Sequence, residues 1–447
     1  MGTRVCIETW GCQMNLHQSE VIAGVLASAG YVIVDSLEQA DVVIFNGCMV
    51  RQLAEEKVFG RIGAVADEKR KRPVLLGVGG CMGQIHGDAL IRRVASIDFV
   101  FGASGHHALP ALIEQAKGQR VAALAEPIFE SEWSVQRQSA VTGMVTITEG
   151  CSNFCSYCIV PYARGPMRSR PRDLILKEVD DLCQRGYKEV LLLGQNVNSY
   201  GTDQPSYGSF AELLTQVAAT GIRRVRFTTS HPKDISETIF LAMAQSPNVC
   251  HHLHLACQSG SDDMLRAMNR KYDRDHYIAM TDLGRKIMPD LNFSTDLIVG
   301  FPGETDADFE ATMTLIERVR FGTVFVAKYS PRPMTRSAEL PDDVPASVKE
   351  ERLDRVLSRQ RMIALEENSR FVGQDLDVLV EGVSRSGLMY GRADDHRTVM
   401  CLGEAALGDF VVVHVEGTSV SSLSGSILGQ ENLEGSHDRH SDPESGR

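Results

Sequence analysis

"EGCSNFCSYCIVPYARGPMRSRPR", residues 149–172, sets three cysteines in a C-x3-C-x2-C run and follows them with four arginines and no acid. Zinc closes a structural site with four ligands, so on that reading the run must borrow one, from His231, His251, His252 or His254. A cubane [4Fe–4S] cluster has four iron corners. Cys151, Cys155 and Cys158 can hold three of them and leave the fourth iron open to a chelating small molecule. Tyr157, directly before the last cysteine, is placed to pack against such a ligand and keep water away.

The run follows the first of six short apolar segments, "MVTIT", "EVLLLG", "VRFTT", "HLHLA", "TDLIVG" and "TVFVAKY", separated by helical patterns such as 173–186 and 305–319. Six βα steps are too few for a closed eight-fold barrel and suit an open three-quarter one, with its chemistry at the C-terminal strand ends. Upstream, residues 1–120 alternate "VCIET", "YVIVD", "DVVIF", "PVLLGV" and "DFVFG" with helical stretches at 18–29 and 51–70. That alternation predicts an open parallel sheet. Residues 121–140 read as a connection. Residues 345–370 read as one charged helix, and "LDVLVEG", "LMYGR", "RTVMC" and "DFVVVHVEG" as a small β-barrel. The expected fold class is α/β: an N-terminal open parallel-sheet domain (1–120), a central partial (β/α)6 barrel (137–370) and a C-terminal small β-barrel (371–430). The polar tail, 431–447, is expected to be disordered.

A second constellation is hidden in the first domain. Cys12, Cys48 and Cys81 each follow a strand, and each has a glycine immediately before it, in "TWGCQMN", "FNGCMV" and "GVGGCMGQ". The C-terminal ends of parallel strands form one ligand-binding edge, so cysteines distant in sequence can meet there. Glycines beside them let the backbone approach a bulky cluster. The expectation is a second three-thiolate cluster site with its own open iron. Cys6, Cys183, Cys250 and Cys401 read as structural; Cys257, at the end of the fourth barrel strand, is the one that could face the active site.

Composition narrows the class. The 447 residues are 43% hydrophobic, enough for two to four domains with ordinary cores. No apolar run is long enough to span a membrane, and the start lacks the basic stretch and apolar core of a signal peptide. Eleven cysteines without an export signal suggest metal or redox chemistry in a reducing cytoplasm. The net charge of −12 is uneven: −3 in residues 431–447, −5 in 371–430, and −4 in the rest. Basic clusters at 69–72, 164–172, 223–226 and 269–271 read as local patches for a polyanion, with Arg168, Arg170 and Arg172 contacting phosphates.

C-x3-C-x2-C on the first strand of a six-step barrel is similar to the signature of radical S-adenosylmethionine enzymes. Joined to three dispersed N-terminal cysteines and a C-terminal β module, the chain resembles the methylthiotransferases over nearly its whole length, to about residue 430. "LLGQNVNSYG" (192–201), "VRFTTSHPKD" (225–234), "HLHLACQSGSDDMLRAMNRKY" and "TDLIVGFPGET" resemble the branch that converts an isopentenylated adenosine beside the tRNA anticodon to its 2-methylthio derivative.

The resemblance implies two [4Fe–4S] clusters, on Cys151, Cys155 and Cys158 and on Cys12, Cys48 and Cys81, with S-adenosyl-L-methionine as cosubstrate. Gly194, Gln195 and Asn196 are implied to hold its amino group, and "IVGFPGE" (298–304) to bound its adenine. Cleavage of the cosubstrate yields a radical that attacks an unactivated C–H bond, and the second cluster presents sulfur to the resulting carbon. The implied partners are the tRNA anticodon stem-loop and an electron-donor protein, with the enzyme a monomer in the cytoplasm. The family usually has Pro-Val where Ala256 and Cys257 stand, and an acid where Pro166 stands. The C-terminal module resembles the TRAM domain, an RNA-binding barrel whose contacts here would fall to Arg385, Arg392 and Arg397. Two alternatives remain open: a sister enzyme acting on an aspartate of a ribosomal protein, and a non-catalytic iron–sulfur redox protein.

Overall fold

The computed structural model describes residues 2–50, 52–124 and 134–430. Its residues group into two compact units, 1–358 and 359–447. The tail expected to be disordered, 431–447, lies outside the described residues, as does part of the 121–140 connection.

The first unit opens with a six-stranded parallel sheet: β1 (Arg4–Trp10), β2 (Val32–Val34), β3 (Val42–Gly47), β4 (Leu75–Gly79), β5 (Phe99–Phe101) and β6 (Val121–Ala123), in the order β2-β1-β3-β4-β5-β6. Side chains alternate across such a sheet, and both faces are covered. Val5, Val42, Ile44, Phe99 and Phe101 pack against helices Gln13–Ser28 and Leu109–Ala116. Cys6, Val43, Phe45, Leu76 and Val78 pack on the other side, against helices Gln52–Lys69 and Gly80–His86. The sixth strand falls in the expected connection; at three residues, "VAA", it carries too little pattern to stand out.

Next come β7 (Thr142–Thr146) and the short antiparallel pair β8 (Thr148–Glu149) and β9 (Arg168–Ser169), which brackets the cysteine loop. They are followed by β10 (Glu189–Leu193), β11 (Arg224–Phe227), β12 (His252–His254), β13 (Asn292–Val299) and β14 (Thr323–Lys328). Two parallel three-stranded sheets, β7-β10-β11 and β12-β13-β14, join through bridges Val225–Val249 and Ser230–Leu255. Together they make the open six-step barrel. Capping boxes start two of the outer helices, Ser209 with Glu212 and Thr305 with Asp308.

The sheet and the barrel are locked together along helix Gln13–Ser28. Its His17 Nδ1 meets Thr146 Oγ1 of β7 at 2.9 Å. Residues 134–138 run along the same helix: Gln136 N–H donates to the Glu20 carbonyl at 3.0 Å, and Gln138 N–H to the Glu20 carboxylate at 2.9 Å. Gly24 leaves room for that strand, since a Cβ there would stand 2.2 Å from the Ser134 carbonyl oxygen. Arg137, buried, lies between Glu20 and Glu178, and Glu178 also pairs with buried Arg170.

In the second unit, β15 (Asp375–Val383), β16 (Met389–Ala393), β17 (Thr398–Leu402), β18 (Phe410–Thr418) and β19 (Leu423–Gln430) close a barrel in the order β15-β16-β17-β19-β18. Val378, Val380, Val399, Val411, Val413, Val415 and Leu423 fill it. Its fifth strand, "LSGSILGQ", escapes sequence reading because serine and glycine interrupt the apolar alternation. Gly425 is needed there: a Cβ would stand 1.9 Å from the His414 carbonyl oxygen.

Arg137→Met removes the cation between two buried carboxylates, and breaking a buried pair in this way costs about 3–5 kcal/mol. The expected outcome is a lower melting temperature, with a smaller loss for Arg137→Lys. An unchanged melt would place the cohesion of the unit elsewhere.

Candidate metal centres

Cys151, Cys155 and Cys158 lie in the loop between β8 and the short helix Val160–Arg164. The loop is tied down at both ends, by Cys151 N–H to the Gly165 carbonyl at 3.1 Å and by Cys158 N–H to the Cys155 carbonyl at 3.0 Å. Gly150, at φ +74°, sits where a Cβ would stand 2.2 Å from the Pro166 oxygen. Ser156 anchors the middle of the loop to the carbonyls of Met268 and Ala267.

Arg270, 4% exposed, is the loop's buried cation. It donates to Cys155 Sγ at 3.3 Å, to Tyr157 Oη at 3.3 Å and to the Ala256 carbonyl at 2.5 Å. The last contact uses only backbone, so it survives the departure from the family pattern at 256–257. Burial pushes the Cys151 and Cys158 thiols up, and neighbouring Cys155 adds to the rise. Without a positive body between them these thiols stay protonated. Tyr157 packs with Met264, Met268, Phe301 and Tyr329, so the exposed aromatic ring of the loop is Phe154 instead.

The second triad comes together at the expected sheet edge. Cys12 caps helix Gln13–Ser28, Cys48 follows β3, and Cys81 lies in the first turn of helix Gly80–His86 after β4. Burial pushes the Cys48 thiol up to about 12, with Cys81 and Cys12 adding to the rise. The glycines serve the loops more than any cluster. A Cβ on Gly11 would stand 2.9 Å from Cys48 Cβ, and one on Gly47 3.0 Å from Met82 Cβ. Gly80 has φ +72° and touches Asn46 and the Gly47 carbonyl. Asn46, hydrogen-bonded to Asn15 and Ser19, stitches the same three loops.

Three of the candidate zinc histidines are committed elsewhere: His251 to Asp290, and His252 and His254 to Ser294. His231 accepts from Lys233 N–H at Nδ1, and burial lowers its pKa to about 2, so Nε2 carries a proton. That Nε2–H is buried without a partner, as are Thr148 Oγ1, Gln195 Oε1 and Ser230 Oγ. The four atoms follow the ends of three successive strands, β7, β10 and β11. Unsatisfied buried polar atoms mark a place where a polar ligand belongs. Gly194 lets Thr148 in, since a Cβ would stand 2.2 Å from its Oγ1. Asn196 is spent on structure, bonding Asp234 at 2.7 Å and His231 N–H at 3.1 Å. In "IVGFPGE", Phe301 is fully buried and Glu304 pairs with Arg352.

The expected phosphate patches need correction. Arg164 and Arg170 are 5% and 2% exposed, and Arg168 faces Glu149 at 3.8 Å. Arg224 and Arg226 are 4% exposed, with Arg226 on Glu189 at 2.6 Å. In the 69–72 cluster, Lys69 binds Asp98 and Arg72 binds Glu68. In the C-terminal barrel Arg397 pairs with Asp395 and stacks on Phe371, Arg392 faces Glu381, and Arg385 is exposed. With 58 acids against 46 bases, many of the cations among the described residues find carboxylates within the fold.

Residues 4–102 match the model of an uncharacterized family, UPF0004; 145–316 match the radical SAM superfamily, and 369–428 the TRAM domain. The tRNA-2-methylthio-N(6)-dimethylallyladenosine synthase of Geobacter sulfurreducens is 44% identical over 431 residues, 94% of this chain and 97% of the relative. That of Thermoanaerobacter sp. (strain X514) is 42% identical over 434 residues, 94% of this chain and 92% of the relative. The chain belongs to the tRNA-2-methylthio-N(6)-dimethylallyladenosine synthase family. Among solved structures, the radical S-adenosylmethionine methyltransferase TsrM of Kitasatospora setae shares the fold, with TM-score 0.56 at 12% identity over 75% of each chain.

As a synthase of this family it is a radical S-adenosylmethionine enzyme, with [4Fe–4S] clusters and S-adenosylmethionine as cofactors. The thiols and orphaned polar atoms fit those groups. Sequence reading gave Thr148, Ser230 and Arg270 no place near the triads; Arg270 stood inside the basic cluster 269–271, which read as a patch for a polyanion.

Anaerobically reconstituted protein is expected to hold about eight irons per chain, four per cubane. Replacing Cys151, Cys155 and Cys158 with Ala should halve the iron and leave the second cluster. Stoichiometric zinc in place of iron would contradict the assignment.

Proposed function

We propose that this synthase methylthiolates carbon 2 of an isopentenylated adenosine beside the tRNA anticodon, with one cluster on each cysteine triad. The observation that carries the reading is the presence of both triads in one compact unit, each beside a buried arginine. When bound, the first cluster with S-adenosylmethionine supplies a one-electron route to breaking an unactivated C–H bond, and the second supplies sulfur.

The chain's own residues do the rest. Thr148 and Ser230 offer hydroxyls that donate or accept, His231 an Nε2–H donor and Gln195 an amide oxygen acceptor to the amino acid end of the cosubstrate. Gly194 admits Thr148 to that group, and Asn196 holds the His231 backbone in place. Leu16, Val50, Phe154 and Tyr162 are exposed apolar side chains, each within four residues of a triad cysteine. They suit an isopentenyl group and keep water from the reacting carbon, whereas an aspartate substrate would gain nothing from them.

Both sites are complete within one chain, which supports a monomer supplied by a separate electron-donor protein. The eleven free cysteines suit the reducing cytoplasm. No helix among the described residues is long and apolar enough to cross a membrane.

The two triads should fail differently. Replacing Cys12, Cys48 and Cys81 with Ala should abolish methylthio product while 5′-deoxyadenosine still forms. Replacing the other triad should abolish both. An electron carrier would make neither product.

The substrate is tested by turnover on an isopentenylated stem-loop, its unmodified counterpart and the ribosomal protein. The expected order puts the isopentenylated RNA first, with Phe154→Ala raising its KM several-fold. Modification of the ribosomal protein alone would make the sister reading correct.

A further inference from the structure

We infer that Arg164 is the counter-cation of the second cluster: a guanidinium supplied by the first triad's own loop, placed beside the helix that carries Cys81, that sets that cluster's reduction potential. The inference rests on the assignment of a cluster to Cys12, Cys48 and Cys81.

Arg164 ends the short helix that begins two residues after Cys158, yet its side chain belongs to the other site. That helix packs on helix Gly80–His86, whose second residue is Cys81. The guanidinium is 5% exposed and lies close to Cys81, Cys12 and Glu149. Its Nη2 also reaches Gln18 Oε1 at 3.5 Å. His17 and His106, which line the same small cavity, are held neutral by burial, with pKa values lowered to about 3 and 4. In that cavity the positive charge is the arginine's; outside it, Arg332, 7% exposed, also lies close to Cys48.

Three thiolates around a doubly positive cubane leave a net negative charge, and reduction adds one more. A fixed guanidinium beside a thiolate stabilises the reduced state more than the oxidised one and raises the potential. Arginine suits the position because it stays charged when buried and sheds water more readily than lysine. Arg270 stands in the same relation to Cys155 of the first triad. The difference lies in origin: at the second triad the cation crosses over from the barrel, so that site is incomplete without the barrel loop.

The experiment is a redox titration, followed by electron paramagnetic resonance, of anaerobically reconstituted full-length wild type, R164M and R164K, with iron counted in each. The same titration with Cys151, Cys155 and Cys158 replaced by Ala assigns the second cluster's midpoint. R164M is expected to move that midpoint to a more negative value and leave the first cluster's unchanged, with R164K recovering much of the shift. Should R164M lose half its iron with an unchanged circular dichroism spectrum, recovery of that iron in R164K equally supports a need for the charge. Full iron with unmoved midpoints in R164M would overturn the inference. So would an iron loss that lysine fails to repair, which marks a packing role. A wild type holding iron for one cubane only would instead defeat the cluster assignment beneath it.

Discussion

The contact between His17 and Thr146 joins the helix capped by Cys12 to the barrel strand that leads to Cys151. His17 lies on helix Gln13–Ser28, whose N-terminal cap is Cys12. Thr146 ends β7, and Cys151 follows it by five residues. Each triad is thus a short, stiff piece of chain away from one buried hydrogen bond. Glu20, Arg137 and Glu178 extend the lock along the helix and into the barrel. A sulfur donor and a radical source must address the same carbon atom, so a loose joint between sheet and barrel would separate the steps.

The alternating apolar runs made the architecture legible, because parallel strands buried on both faces are short and continuous. The weak elements were β6, too short to show a pattern, and β19, broken by Ser424, Gly425 and Ser426. The position of the six cysteines at strand ends was legible from two kinds of signal: close spacing in one loop, and a repeated strand–Gly–Cys context along the sheet edge. The physical reason for those glycines was not. They let three loops touch one another, which needs the third dimension to see.

Charge was the least legible feature. A run of arginines reads the same whether its side chains face solvent or the interior, and here burial divides them. Arg164 and Arg270 serve thiols, Arg170 and Arg226 serve carboxylates, and Arg385 is left at the surface. A net-acidic chain can satisfy its buried cations internally, so each cluster divides: Arg170, Arg226 and Arg270 are buried, while Arg70, Lys71, Arg223 and Lys271 stay exposed.

The close approach of the two triads is the claim on which the rest turns. Arg164 lies six residues beyond Cys158, at the end of the short helix Val160–Arg164, and that helix packs on helix Gly80–His86, which carries Cys81. One short helix thus links the two cysteine loops. Two reduced clusters held close couple magnetically. The decisive measurement is the electron paramagnetic resonance spectrum of the fully reduced two-cluster enzyme against the sum of the spectra of the two single-triad variants. The expected result is a broadened, faster-relaxing signal that the sum fails to reproduce. A spectrum equal to the sum at every temperature would contradict the arrangement.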